Sequence, residues 1–212
     1  MTAVEETRKA APAQPRWKEL TAVGTEVHKR IVSLQARVIA DESTAVATLA
    51  KLRRGVGKPA GSVNEILQYT VSEVFAGPDA DDGPTAAETA AHIALTLYAL
   101  HQQSHRTRVH LRGYGLGRSV RLLLPEEPQT TLSPVARRFL TLGTSQSLDE
   151  LVHHLRGMVQ LLRAKPVPLD YGLLADELTR WPQPDSANRI RLRWGRDFHR
   201  TTHPTDSTTD DH

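Results

Sequence analysis

Ser147–Arg163 reads SLDELVHHLRGMVQLLR, and this stretch decides the fold class. Leu148, Leu151, Val152, Leu155, Met158, Val159 and Leu162 recur in it at helical spacing. Side chains three and four residues apart share one side of a helix, so the spacing predicts an amphipathic helix with one apolar face. Ser147, followed three residues later by Glu150, fits a capping box: the hydroxyl accepts from the first turn and the carboxylate reaches back. Ser62-Val-Asn-Glu65 and Thr85-Ala-Ala-Glu88 repeat that signal. Ser133-Pro134 places a cap residue before a proline at the first helical position.

The same reading extends outward. Ala90, Ile93, Leu97 and Leu100 form a stripe within residues 85–105, and Leu20, Val23, Val27, Ile31, Leu34 and Val38 predict a helix from Trp17 to Ile39. Strand periodicity never persists. Val120, Leu122 and Leu124 alternate, but Arg118–Leu124 reads equally well as helical turns. Aromatic residues are 5% of the chain, so the core rests on Leu, Val, Ala and Ile, which favours helix over strand. Pro and Gly breaks fall at 55–61, 77–84, 113–117, 125–128, 166–168 and 182–184. The expected fold class is all-α, with about eight helices in two packed bundles. A boundary near Pro125–Pro128 would divide an N-terminal bundle, residues 17–127, from a C-terminal bundle, residues 128–200. Residues 1–16 are expected to be a disordered lead. The tail 201–212, TTHPTDSTTDDH, is too polar to pack and is expected to be disordered too.

Charge is unevenly distributed. Between Thr89 and Pro125 there is no acidic residue but there are five arginines: Arg106, Arg108, Arg112, Arg118 and Arg121. Residues 103–200 carry 16 Lys and Arg against nine Asp and Glu, whereas residues 1–102 carry 11 against 12 and the tail carries three aspartates. The net charge of +3 therefore hides a basic body, which favours a polyanionic partner such as nucleic acid.

Several chemistries are excluded or unsupported. The chain has no cysteine, so disulfides, zinc–thiolate sites and thiol catalysis are ruled out. No apolar run is long enough to span a membrane, and the N-terminus has charges where a signal peptide needs an apolar stretch, so a cytoplasmic location is expected. Lys51-Leu-Arg-Arg-Gly-Val-Gly-Lys-Pro59 is rich in cations and glycine but lacks the phosphate-loop pattern. It reads either as a helix end contacting a nucleic-acid backbone or as cations placed favourably at a helix C-terminus. Gly113, Gly115 and Gly117 do not match the dinucleotide fingerprint. His101 and His105 have a spacing that can ligate a metal on one helix, but no carboxylate cluster accompanies them, and His153-His154 falls on a polar face. No nucleophile motif is present. Neither catalysis, cofactor nor metal is expected. In Arg189–Arg200, Ile190, Trp194 and Phe198 stack at helical spacing as a packing edge. Arg193 and Arg196 flank it, and Asp197 is placed to pair with Arg193 or Arg200.

A set of blocks in order carries a family resemblance: Leu52-Arg-Arg-Gly55, Leu97-Tyr-Ala-Leu-His-Gln102, Gly115-Leu-Gly-Arg-Ser-Val-Arg121, Arg137-Arg-Phe139, His154–Arg163, Pro168–Leu178 and Arg191-Leu-Arg-Trp-Gly-Arg-Asp-Phe198. Over about residues 50–200 the chain resembles the small subunit, the CasB family, of the type I-E CRISPR Cascade complex. His199 departs from that pattern, where an aromatic Tyr is expected. The resemblance implies an all-helical, non-catalytic protein present as two copies per complex. These copies would lie beside subunits that hold the CRISPR RNA and would stabilise the displaced strand of the target DNA. Guide pairing would read the sequence while protein holds backbones.

The expected nucleic-acid contacts are therefore Lys51, Arg53, Arg54, Lys58, Arg106, Arg108, Arg112, Arg118, Arg121, Arg137 and Arg138. Arg193, Trp194, Arg196 and Phe198 are expected to serve structure or partner subunits. The competing reading is a helical adaptor whose arginines mainly contact protein.

Overall fold

The computed structural model describes residues 18–125 and 131–200. The lead 1–16, the tail 201–212 and the centre of the expected boundary, 126–130, lie outside the described residues. Within them the chain forms helices α1 (Ala22–Ile39) and α2 (Ser43–Arg54), a tight turn at Asn64–Ile66, and the one-turn helix α3 (Leu67–Thr70). There follow α4 (Ala86–Gln102), α5 (Leu116–Arg121), α6 (Pro134–Gly143), α7 (Leu148–Ala164), α8 (Tyr171–Arg180) and α9 (Pro184–His199). The described residues contain no strand, and extended pairing is limited to one parallel bridge, His110 to Leu169. The fold is all-α, as the periodicity predicts.

Two helices form the centre. α4 is buried on every side from Ala90 to Ala99, and α8 from Tyr171 to Leu178. A helix buried all round needs neighbours all round. α1 and α2 cover α4 on one side, α7 lies against it on another, and α8 packs against both α1 and α4. α9 crosses α5, and α6 lies along α7. Packing thus groups α1, α2, α4 and α8, and pairs α5 with α9 and α6 with α7; α7 joins the two sets by lying against α4, and the buried side chains form one connected core. α8 follows 125–128 in sequence yet packs with helices that precede it, so packing crosses the expected division.

Local signals succeed where the first turn is free to form. Thr85 makes the full capping box: its hydroxyl accepts from Glu88 N–H, and Glu88 accepts from Thr85 N–H. Ser133 and Ser147 cap α6 and α7. Ser62 does not cap; its hydroxyl donates to the Pro59 carbonyl at 2.7 Å, and Glu65 pairs with Arg54 instead. α1 begins at Ala22 rather than near Trp17 because its cap comes from another helix. The Asp176 carboxylate on α8 accepts from Thr21 N–H and Gly24 N–H, each at 2.8 Å, and from the Thr21 hydroxyl.

The crossings are close. A β-carbon at Gly117 would stand 2.1 Å from the Trp194 carbonyl oxygen, so α5 and α9 touch through a position where any side chain would clash. Gly24 and Gly172 do the same for α1 and α8, where an added β-carbon would meet the facing carbonyl at 2.6 and 2.8 Å. Of the Gly-x-Gly-x-Gly run, Gly117 in the first turn of α5 therefore serves helix packing, while Gly113 adopts a positive φ of 81° in the preceding turn.

Candidate nucleic-acid interface

The expected cations have three different fates. The first group belongs to the fold. Arg112 is 17% exposed; its Nη1 donates to Asp170 Oδ2 and its Nη2 to the Lys18 carbonyl, both at 2.8 Å. Asp170 in turn accepts from Gly113 N–H at 2.9 Å and caps α8 through Leu173 N–H at 3.0 Å. Arg193 pairs with Glu177 at 2.8 Å, not with Asp197 as its spacing suggested. Glu177 also accepts from Trp194 Nε1 at 2.9 Å, and Trp194 stacks on Trp181. Burial pushes the Glu177 carboxyl up to about 7, while Arg193 and the Trp194 N–H pull the other way.

The arginine-rich segment itself is strapped down by buried polar groups. Gln35 on α1 accepts from Val109 N–H and His110 N–H and donates to the His110 carbonyl. Val109 accepts from Leu169 N–H at 2.9 Å. His110 Nδ1 accepts from Tyr171 N–H at 3.1 Å, which leaves its Nε2–H to donate to His28 Nδ1 at 2.8 Å. Burial lowers the His110 pKa to about 4, so the ring is neutral at pH 7, and His28 is lowered chiefly by burial as well.

A second group is exposed but paired on the surface: Arg54 with Glu65 and Arg106 with Asp41, each at 2.8 Å. Solvent-exposed pairs of this kind hold weakly, so both guanidinium groups remain available to a polyanion.

The third group has no ion pair among the described residues. Lys58, Arg108, Arg137 and Arg138 are exposed; Lys51, Arg53, Arg118 and Arg121 are half-buried. Arg118 lies 4.3 Å over the Tyr114 ring, which fixes its guanidinium at the surface of α5. Arg137 and Arg138 project from α6, whose inward Phe139 stacks on Phe198 at 4.6 Å. α5 and α6 are neighbours, so these four arginines occupy adjacent elements. Lys51–Lys58 lie at the C-terminal end of α2, and Arg106 faces Asp41 just before its start. At about 1.5 Å per residue, the length of α2 sets these two sets roughly 18 Å apart. Arg196 is exposed on α9, while Trp194 and Phe198 are buried in the core.

The histidine pair does not form a site. α4 ends at Gln102, so His105 lies beyond the helix. His101 Nδ1 is 3.0 Å from the Tyr171 hydroxyl, and His105 Nε2 is 2.9 Å from the Arg163 carbonyl. Among the described residues no cluster of His, Asp and Glu could hold a metal ion. None of their helices is long and apolar enough to cross a membrane.

The residues that the spacing did not single out are Asp170, Asp176 and Glu177. Their signal was visible: carboxylates inside the apolar run Leu169–Leu178 must find partners if that run is buried.

Family comparison agrees with this architecture. The model for the CRISPR-associated protein Cse2 matches residues 48–199. The chain belongs to the Cse2 family. It is 42% identical to a CasB from Thermobifida fusca solved by crystallography, with a TM-score of 0.73 over 86% of this chain and 100% of that one. A chain from a CRISPR RNA-guided surveillance complex has the same fold at 22% identity, with a TM-score of 0.62 over 83% of this chain and 95% of that one. None of the curated proteins matches it. Family membership covers α5, α6 and the C-terminal end of α2, where the unpaired cations sit.

Proposed function

We propose that this Cse2-family chain is a non-catalytic subunit of an RNA-guided surveillance complex of the Cascade type. In this reading it acts in the cytoplasm, two copies lie beside the subunits that hold the CRISPR RNA, and both stabilise the displaced strand of the target DNA. The observation that carries the proposal is the third group of cations. Lys58, Arg108, Arg137 and Arg138 are exposed and have no ion pair among the described residues, although exposed carboxylates are available elsewhere on the surface. Exposed charge of this kind suits phosphates and not particular bases. Few aromatic residues are exposed, so base stacking contributes less than charge.

The test is binding of single-stranded DNA to the purified chain across a salt series, followed by target-DNA capture in the assembled complex. Arg137→Ala with Arg138→Ala, and Arg53→Ala with Arg54→Ala, are expected to weaken both to a similar degree for unrelated sequences. Unchanged DNA capture with lost subunit assembly would instead favour a protein-contacting adaptor. One observation supports that second reading. Leu132, Leu140 and Leu192 are exposed by 57%, 49% and 54%, and Leu140 shares α6 with Arg137 and Arg138.

A further inference from the structure

A cleft of about 550 Å³ opens between the loop after α2, helix α4 and the first turns of α7. That volume is typical of small-molecule sites, which span roughly 300–1,000 Å³. Ile93 and Leu97 of α4, Leu148 and Val152 of α7, and Pro59 and Pro84 from the loops give it apolar walls. Lys58 and Arg156 line it as well, both with exposed side chains and neither in an ion pair among the described residues. Arg156 reaches the loop that carries Lys58: a β-carbon at Gly57, the residue before Lys58, would stand 3.8 Å from Arg156 Nη1. Asp149 is the carboxylate of the lining, and His153 stands on the same side of α7. The cleft therefore couples an apolar interior to a net positive opening.

We propose that this cleft seats one unstacked nucleotide of a single strand, its base between the apolar walls and its phosphate against Lys58 and Arg156. The inference rests on the reading of the chain as a single-strand holder and adds where a base goes. An acidic phosphate matches the two cations, and the flat faces of a base match walls built from aliphatic side chains and two prolines. The Thr96 hydroxyl of the lining is already bonded to backbone within α4, and the seat holds a base by its faces without selecting its identity. A duplex cannot supply the ligand, because its bases are stacked and paired. Arg156 was not among the residues that charge patterning singled out. It becomes a contact because α7 brings it to the loop that carries Lys58.

The experiment uses the full chain and an oligothymidine carrying one pyrrolocytosine, whose emission rises when the base leaves its stacked neighbours. Binding should raise the emission. Val152→Trp and Ala60→Trp fill the cleft from a helix and from a loop, so one folded variant suffices, with folding checked by the melting temperature. In both, the rise in emission should disappear while affinity for the strand stays within about twofold, the size of an ordinary surface effect. Arg156→Ala should lower the salt slope by about 0.7, one phosphate's worth. If the strand binds but emission does not change, or if it still rises in the filled variants, the nucleotide seat is wrong and the basic surface alone holds the strand. If the filled variants lose assembly with partner subunits while the emission signal persists, the cleft belongs to a protein segment and the proposal falls. Absence of strand binding altogether would overturn the functional reading, and the seat with it.

Discussion

Arg112 holds Asp170 inside the molecule, while Arg138 stands exposed on α6. Removing the first leaves a buried carboxylate with one partner fewer, and breaking a buried pair costs about 3 kcal/mol. Arg112→Ala is thus expected to lower the melting temperature sharply, whereas Arg138→Ala should leave it unchanged and weaken DNA binding; thermal scans beside a binding titration separate the two. Buried histidines add a pH dependence. Burial lowers His110 to about 4 and His101 to about 3, against 6.5 for a free side chain. Below pH 6.5 the unfolded chain takes up protons that the folded one refuses, so stability falls as pH drops toward those values. Each ring contributes at most about 1.4 kcal/mol per pH unit. The Glu177 carboxyl, raised to about 7, opposes this with one proton taken up on the folded side, so chemical denaturation from neutral to mildly acidic pH should show the net loss left by the histidines, and His101→Leu should make its slope shallower. An unchanged slope would remove His101 from the account.

At the scale of the element, Thr85 and Ser62 head the same four-residue pattern but do different things. Thr85 caps α4, and Thr85→Ala is expected to cost about 1 kcal/mol. Ser62 turns back to Pro59 and caps nothing, so Ser62→Ala should change stability little. Comparable losses in the two variants would show that both boxes form. The α5–α9 crossing is less tolerant still. Gly117→Ala places a methyl 2.1 Å from the Trp194 carbonyl oxygen, backbone that cannot step aside without moving α9. The expected result is a large drop in melting temperature with exposure of the Trp194 side chain, read by its fluorescence. A stable Gly117→Ala protein would mean that the helices can separate there. Asp176, which holds the start of α1 from α8, links two segments far apart in the chain, and this kind of cap no local pattern announces.

For the whole molecule, binding and folding should separate. If the unpaired cations hold phosphates, affinity for a single strand falls with salt at a log–log slope of roughly −0.7 per phosphate neutralised, and each double charge removal reduces that slope. A salt-independent affinity would contradict the phosphate reading. The last buried residue of the described core is Phe198, and 201–212 contains no large apolar side chain, so deletion after Arg200 is expected to leave the melting temperature intact. If those three aspartates meet the basic surface, the truncated chain binds DNA slightly more tightly. The helical class, the apolar faces of α1 and α7 and the caps at Thr85, Ser133 and Ser147 were legible in the chain, because helical spacing and first-turn hydrogen bonds involve residues only three or four apart. The Trp194–Phe198 packing edge was legible for the same reason. Which arginines are free was not. Arg112 and Arg138 look alike in sequence, and only the meeting of the 105–115 segment with Asp170 and α1 makes one structural and leaves the other exposed. The partner of Arg193, the grouping of α8 with α1 and α4, and the cleft that joins Lys58 to Arg156 were decided likewise by long-range packing. Burial and close approach between distant segments set which charges are compensated, and no local spacing contains that information.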